Sequence, residues 1–177
     1  MTTYRRNFVA GGSYFFTVNL AERRLQLLTE HIELLRAAFR YARRRHPFVV
    51  DAIVVLPDHL HTIWTLPGGD RDFPVRWRLI KASFSRGLPQ TEGIPASRLR
   101  KRERGIWQRR YWEHTLRDED DFARRLDYIH FNPVKHGHVE RVGAWPFSSL
   151  HRIVRLGLYP ATWTGGATDQ QSGFGER

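Results

Sequence analysis

Two histidines are the first residues of this chain whose types and spacing could do chemistry. His59 and His61 alternate within "LPDHLHTIWTL", a stretch whose other residues are typical of a β-strand. Side chains two apart on a strand point to the same face, so the two imidazoles would lie side by side and could chelate a divalent ion. Two half-exposed histidines without a ligand fit the same pattern, and a third ligand is needed to favour the metal site.

A tyrosine and an asparagine four residues apart are the second such pair. Tyr128 and Asn132 lie in "FARRLDYIHFNPVK", which has helical periodicity, and Arg124 lies one turn earlier on the same stripe. The apolar stripe of this helix must pack on a sheet, which places the polar stripe at its flank, where a cleft could reach it. Without a ligand, Tyr128 also fits a rim residue of an amphipathic helix, and Asn132 fits a C-terminal cap before proline.

The segments that would position these residues alternate between strand and helix. Asp118 is a candidate N-cap for the helix of Tyr128, and Pro133 predicts that the body of this helix ends by Asn132. The periodicity and the turn residues predict strands near 13–20, 48–57, 61–67 and 111–117, and helices near 30–45, 73–87 and 118–132.

This order predicts an α+β protein, a ferredoxin-like βαββαβα sandwich. Its four-stranded, largely antiparallel sheet would carry the helices on one face. An α/β layout with a parallel sheet is the alternative. The very short break between the second and third strands favours a hairpin, which argues against the parallel layout.

Length and composition predict one domain. Of the 177 residues, 41% are hydrophobic, which is enough for one substantial core over residues 1–165, and residues 166–177 have the composition of a flexible tail. The chain has no cysteine, so a metal would need nitrogen and oxygen ligands, and a reducing cytoplasm fits best. No window approaches the roughly 20 apolar residues of a membrane span, so we expect a soluble cytoplasmic protein.

A strong excess of positive charge indicates a polyanionic partner. Twenty-nine Lys and Arg against eighteen Asp and Glu leave a net charge of +11, and nucleic acid is the first candidate. A basic run in the loop 88–105 supplies possible contacts to a DNA backbone, although a solvated run without a ligand has the same composition. The candidate contacts, with Arg124, are Arg98, Arg100, Lys101, Arg102 and Arg104.

Several separated stretches together resemble the REP-associated tyrosine transposases, relatives of single-strand DNA transposases that have the HUH histidine motif and one catalytic tyrosine. The resemblance extends from about Tyr4 to Trp163 and includes H-x-H and Y-x-x-x-N in the expected order. The stretches that carry it are "YRRNFVAGGSYFFTVNL", "VVLPDHLHTIWTLPGGD", "IWQRRYWEHTLRDEDDF", "YIHFNPVKHG" and "WPFSSLHR".

The resemblance implies a role for each member of the two pairs. His59 and His61 would be the HUH pair, Asn132 the third metal ligand, and Tyr128 the nucleophile that attacks a scissile phosphate. Two nitrogen ligands and one amide oxygen suit Mg²⁺ or Mn²⁺. A tyrosine hydroxyl ordinarily has a pKa of about 10, so it is a poor nucleophile at neutral pH. A nearby cation would stabilise its phenolate, and Arg124 is the candidate for that cation.

The family resemblance further implies a substrate and a product. The substrate would be single-stranded DNA at palindromic repeats that fold into hairpins, and the product a 5′-phosphotyrosine link with a free 3′-OH. The DNA-associated protein could be a monomer or a homodimer.

Two other functions fit part of the pattern. One is a DNA hairpin-binding protein without catalysis. The other is a metal hydrolase or RNA endonuclease in which water attacks and Tyr128 is structural.

Among the remaining histidines, His114 could face the cleft, whereas His130, His136 and His138 are expected to contact backbone, solvent or DNA phosphate.

Overall fold

An antiparallel sheet of four strands organises the computed structural model, which describes residues 6–89 and 104–165. In this described part the strand order is β2-β3-β1-β4, and each neighbouring pair is antiparallel. This arrangement confirms the α+β prediction and excludes the parallel alternative. The strands are β1 (Ser13–Asn19), β2 (Val49–Val55), β3 (His59–Thr65) and β4 (Trp112–Thr115).

Helices connect and cover the strands in the predicted order. None of those in the described part of the chain is long and apolar enough to cross a membrane. The predicted tail, 166–177, lies outside the described residues. The helices are α1 (Leu27–Glu30), α2 (Ile32–Arg45), α3 (Phe73–Gly87), α4 (Glu119–Lys135) and α5 (Leu150–Arg155), with a 3₁₀ turn at Val142–Ala144.

The helices cover both faces of the sheet, so the prediction that they share one face was wrong. Phe15 and Phe16 are consecutive on β1 and therefore point to opposite faces. Phe16 packs 5.4 Å from Trp77 of α3, whereas Phe15 packs 6.0 Å from Tyr128 of α4, measured between ring centres. Because both faces of β1 are apolar, each needs a helical cover, and α4 supplies the second.

Helix α4 begins where the sequence predicts. The carboxylate of Asp118 accepts a hydrogen bond from the backbone N–H of Asp121 at 2.7 Å, which satisfies one of the unpaired donors of the first turn. Three acidic residues follow in that turn, where the helix dipole favours negative charge.

The other end of α4 extends beyond the predicted boundary. The helix continues through Pro133 to Lys135, so the predicted end at Asn132 was wrong. Gly137 has a φ of 68°, and His138 N–H donates to the Pro133 carbonyl at 2.9 Å. This left-handed glycine cap closes the last turn, and the loss of one donor at the proline is tolerated.

Candidate active site

His59 and His61 are buried on the face of β3 that α4 covers. Their ring centres are 5.0 Å apart, and their relative exposures are 1% and 0%. On the neighbouring strand, Thr17 pairs with His61 and Asn19 pairs with His59. The two imidazoles therefore project side by side between the sheet and the helix, with polar neighbours directly across on β1.

Each histidine is held through its Nδ1 atom by a polar neighbour. The hydroxyl of Thr17 lies 2.8 Å from Nδ1 of His61, and a carboxylate oxygen of Asp58 lies 2.7 Å from Nδ1 of His59. Arg23 forms an ion pair with the same Asp58. Partners of this kind fix the tautomer and the ring orientation of metal-binding histidines, so that Nε2 becomes the ligand atom.

The surroundings of the pair favour neutral imidazoles. Burial lowers the pKa of His59, and the carboxylate of Asp58 opposes this effect only in part. Burial, together with the neighbouring His59, lowers the pKa of His61 well below its ordinary value. A neutral imidazole keeps the lone pair that a metal ion needs.

Helix α4 presents one stripe of side chains to the histidine pair. Tyr128 lies 5.2 Å from His61, and His136 lies 5.1 Å from His59, measured between ring centres. Asn132 lies midway between them on the same stripe and is fully buried. The structure therefore brings together the four side chains that the sequence pattern singled out.

A lysine that the sequence analysis missed lies at the tyrosine. The ammonium group of Lys135 donates a hydrogen bond to the hydroxyl of Tyr128 at 3.1 Å, and burial lowers the pKa of this lysine. Arg124, the predicted cation, is exposed one turn before the tyrosine. Lys135 is seven residues after Tyr128 and therefore lies on the same stripe of the helix. The sequence analysis missed this spacing because it placed the end of the helix at Asn132, before the lysine.

The residues present fit a metal ion. Nε2 of His59 is buried and has no hydrogen-bond partner among the described residues, an arrangement that is costly unless the atom binds a ligand. Within residues 6–89 and 104–165, no three His, Asp or Glu side chains are grouped closely enough to hold a metal. The amide oxygen of Asn132, buried on the stripe of α4 that faces the two histidines, is the remaining candidate ligand of the predicted set.

His114 and His130 have side-chain partners other than the histidine pair. His114 lies 2.7 Å from a carboxylate oxygen of Asp121, at the N-terminal end of α4. His130 is buried, its Nε2 lies 2.9 Å from the hydroxyl of Ser149, and burial lowers its pKa to about 3. The expectation that His130 contacts backbone, solvent or phosphate was therefore wrong.

The predicted basic loop lies largely outside the described residues, including Arg98, Arg100, Lys101 and Arg102. Arg104 is described, and its guanidinium donates to the carbonyl oxygens of Leu88 at 2.8 Å and Pro89 at 2.7 Å. These contacts tie Arg104 to the C-terminal end of α3.

The chain is similar to known proteins over nearly its whole length. No family model matches it. It is 48% identical to a REP-associated tyrosine transposase of Escherichia coli over 98% of this chain and 97% of the relative. It is 46% identical to a Haemophilus influenzae relative that carries the same family name, over 93% and 94% of the two chains.

A solved structure is similar over the full chain as well. It is a REP-associated tyrosine transposase bound to a REP hairpin, with 47% identity and a TM-score of 0.86. The similarity covers 100% of this chain and 98% of the solved one.

Proposed function

The chain belongs to the REP-associated tyrosine transposases, and from this membership we propose that it is a metal-dependent endonuclease and strand transferase for single-stranded DNA. The substrate is a hairpin of the REP type, since a similar structure holds such a hairpin. The observation that carries the proposal is the position of Tyr128, whose ring lies against His61 and whose hydroxyl accepts a hydrogen bond from Lys135.

Tyr128 is the nucleophile of the proposed reaction. Its hydroxyl oxygen loses its proton and attacks the scissile phosphorus. A bond forms between that oxygen and phosphorus, the bond from phosphorus to the 3′-oxygen breaks, and the departing 3′-oxygen takes up a proton. The products are a 5′-phosphotyrosine and a strand with a free 3′-OH. Because one phosphodiester replaces another, a 3′-OH can reverse the step and join strands without ATP.

Lys135 stabilises the attacking oxygen. Its ammonium group donates to the Tyr128 hydroxyl and lies 4.6 Å from the centre of the tyrosine ring. A cation at this position favours the phenolate over the phenol, which is the form that attacks phosphorus. The partly buried surroundings of the lysine strengthen the interaction relative to water.

Three uncharged side chains would hold the metal ion. Nε2 of His59, Nε2 of His61 and the amide oxygen of Asn132 leave a divalent ion its full charge, and this set suits Mg²⁺ or Mn²⁺ with open positions for phosphate oxygens. When bound, the ion supplies Lewis-acid polarisation of the phosphate. Asp58 and Thr17 keep the two rings in the orientation that this ligation requires.

The test is the covalent adduct on Tyr128. Purified protein is incubated with labelled REP-type hairpins carrying single-stranded flanks, with Mg²⁺ or Mn²⁺, and resolved on denaturing gels with peptide mapping. The Tyr128→Phe variant is expected to lose the adduct and keep hairpin binding, because only the nucleophilic oxygen is removed. Tyr41→Phe, on α2 across the sheet, is the matched control and should form the adduct normally.

Two outcomes would contradict the proposal. Cleavage by Tyr128→Phe at the wild-type rate would indicate attack by water. Tight hairpin binding by the wild type with neither cleavage nor adduct, with both metals and several hairpins, would indicate a binding protein.

A further inference from the structure

A row of rings leads from the histidine pair towards the β2 edge of the sheet. The distances between successive ring centres are 5.1 Å from His59 to His136, 6.3 Å to His138, 5.2 Å to Trp145 and 5.7 Å to Phe147. His136 and His138 are exposed, and Trp145 and Phe147 are half-buried. Each ring of the row after His59 is therefore at least partly accessible to solvent.

Hydrogen bonds fix the outer part of the ring row along β2. The indole N–H of Trp145 donates to the carbonyl of Val55 at 3.0 Å, and Val55 N–H donates to the carbonyl of Phe147 at 2.9 Å. Ser149 N–H then donates to the carbonyl of Ile53 at 2.8 Å. The segment that carries the rings is thus held along the edge strand before any ligand arrives.

The ring row ends at a groove between α2 and the β2 edge. This groove encloses about 370 Å³, and its floor is apolar, with Phe39, Ile53 and Phe147 among its lining residues. Arginines stand among the lining residues as well. Those that line this arginine groove are Arg36, Arg40, Arg43 and Arg152.

The helix that borders the groove has an exposed basic stripe. Arg36, Arg40, Arg43 and Arg44 follow one another at four, seven and eight residues from the first, so they share one face of α2. Glu33 pairs with Arg36. The guanidinium group of arginine binds phosphate through two parallel hydrogen bonds, and its planar face also stacks on bases.

We propose that the ring row and the arginine groove bind unpaired DNA that continues from the hairpin at the catalytic site around the β2 edge. Single-strand binding sites combine a positively charged groove with rings on which successive bases stack, and both features are continuous here. A duplex stem fits less well, because its paired bases offer no free faces to the rings. The inference rests on the proposed action on DNA, since the strand enters at the histidine pair.

Binding measurements with matched DNA probes test this inference. The probes are a hairpin alone, the same hairpin with a single-stranded extension on its 5′ side or its 3′ side, and each extension without its bases. We expect one extension to raise the affinity of the wild type at least about tenfold and its base-free form to lose most of that gain.

Variants locate the effect on the protein. Arg36→Ala with Arg40→Ala should remove most of the gain from the phosphates and lower the salt dependence of binding by about two counterions. Arg78→Ala with Arg86→Ala removes the same charge from exposed positions on α3 and should change neither quantity. Photo-crosslinking from 5-iodouracil in the extension should label Trp145 or Phe147, which needs no variant.

The outcomes separate this inference from the proposed function. Equal wild-type affinity for bare and extended hairpins, equal losses in the two double variants, or crosslinks confined to other residues would each overturn the ring row and groove. An affinity gain from the extension without any adduct on Tyr128 would support the inference and contradict the proposed catalysis. Failure to bind any probe would overturn both.

Discussion

The ammonium nitrogen of Lys135 lies 3.1 Å from the hydroxyl oxygen of Tyr128. The two residues are two helical turns apart on α4, and the helix passes through Pro133 to bring them together. A cation beside the hydroxyl is the partner that the proposed nucleophile needs.

Replacement of Lys135 should slow the covalent step more than it weakens DNA binding. In Lys135→Met the charge beside the developing phenolate is lost, so we expect single-turnover adduct formation to slow by roughly 100-fold, with hairpin affinity within about threefold. Lys135→Arg keeps the charge and should recover part of the rate. Equal rates in the wild type and the methionine variant would remove the lysine from the mechanism.

Asp58→Asn should weaken metal binding while leaving the fold intact. Asp58 accepts from His59 and pairs with Arg23, and these contacts lower its pKa to about 2 against the opposing effect of burial, so it is a carboxylate at neutral pH. Loss of such a partner typically costs 10- to 100-fold in affinity, which calorimetric titration with Mn²⁺ would measure. Asp51→Asn, at the other end of β2, is the control and should bind Mn²⁺ normally.

The topology of the sheet could be predicted from local patterns, whereas the side on which α4 packs could not. A break of three residues between β2 and β3 leaves room only for a hairpin, and this fixes an antiparallel neighbour. The choice of face depends on which surfaces of the sheet remain uncovered after α2 and α3 have packed. Phe15 and Phe16, adjacent on β1, are both fully buried in the structure, but their order in the sequence does not say which helix covers which face.

The placement of the candidate site's side chains was predictable where these residues follow one period, and unpredictable where their contacts are long-range. His59 and His61 follow the two-residue period of a strand, and Tyr128 and Asn132 follow the four-residue spacing of a helix. Arg23 reaches Asp58 across 35 positions. No local pattern records that contact, because it depends on how β1 lies beside the β2–β3 turn.

Removal of the α4 N-cap should destabilise the protein modestly. Asp118 accepts from Asp121 N–H at 2.7 Å, and loss of such a cap typically costs about 1 kcal/mol of unfolding free energy. Asp118→Ala and Asp120→Ala remove the same charge from the same turn, but only the first removes a cap. Urea denaturation should therefore show the larger loss for Asp118→Ala, and equal losses would indicate a charge effect alone.

Lys81 should make the stability of the protein rise with pH under alkaline conditions. Burial, with a smaller contribution from Arg6, lowers the pKa of Lys81 from its ordinary 10.5 to about 8. Its ammonium group donates to the Gln108 carbonyl at 3.0 Å and lies 5.2 Å from the centre of the Tyr111 ring. Burial makes the charged form of Lys81 less favourable in the folded protein than in the unfolded chain. The charge on Lys81 therefore opposes folding at neutral pH, despite these two contacts.

The sign of this effect follows from proton binding. Between pH 8 and 10.5 the unfolded chain keeps a proton on Lys81 that the folded protein has released. The unfolding free energy of the wild type should therefore rise across this window relative to Lys81→Met, by about 3 kcal/mol. Urea denaturation of both proteins at pH 7.5, 9 and 10.5 measures the difference, because titrations common to both proteins cancel. Parallel pH profiles would show that Lys81 has the same proton affinity in the folded and unfolded states.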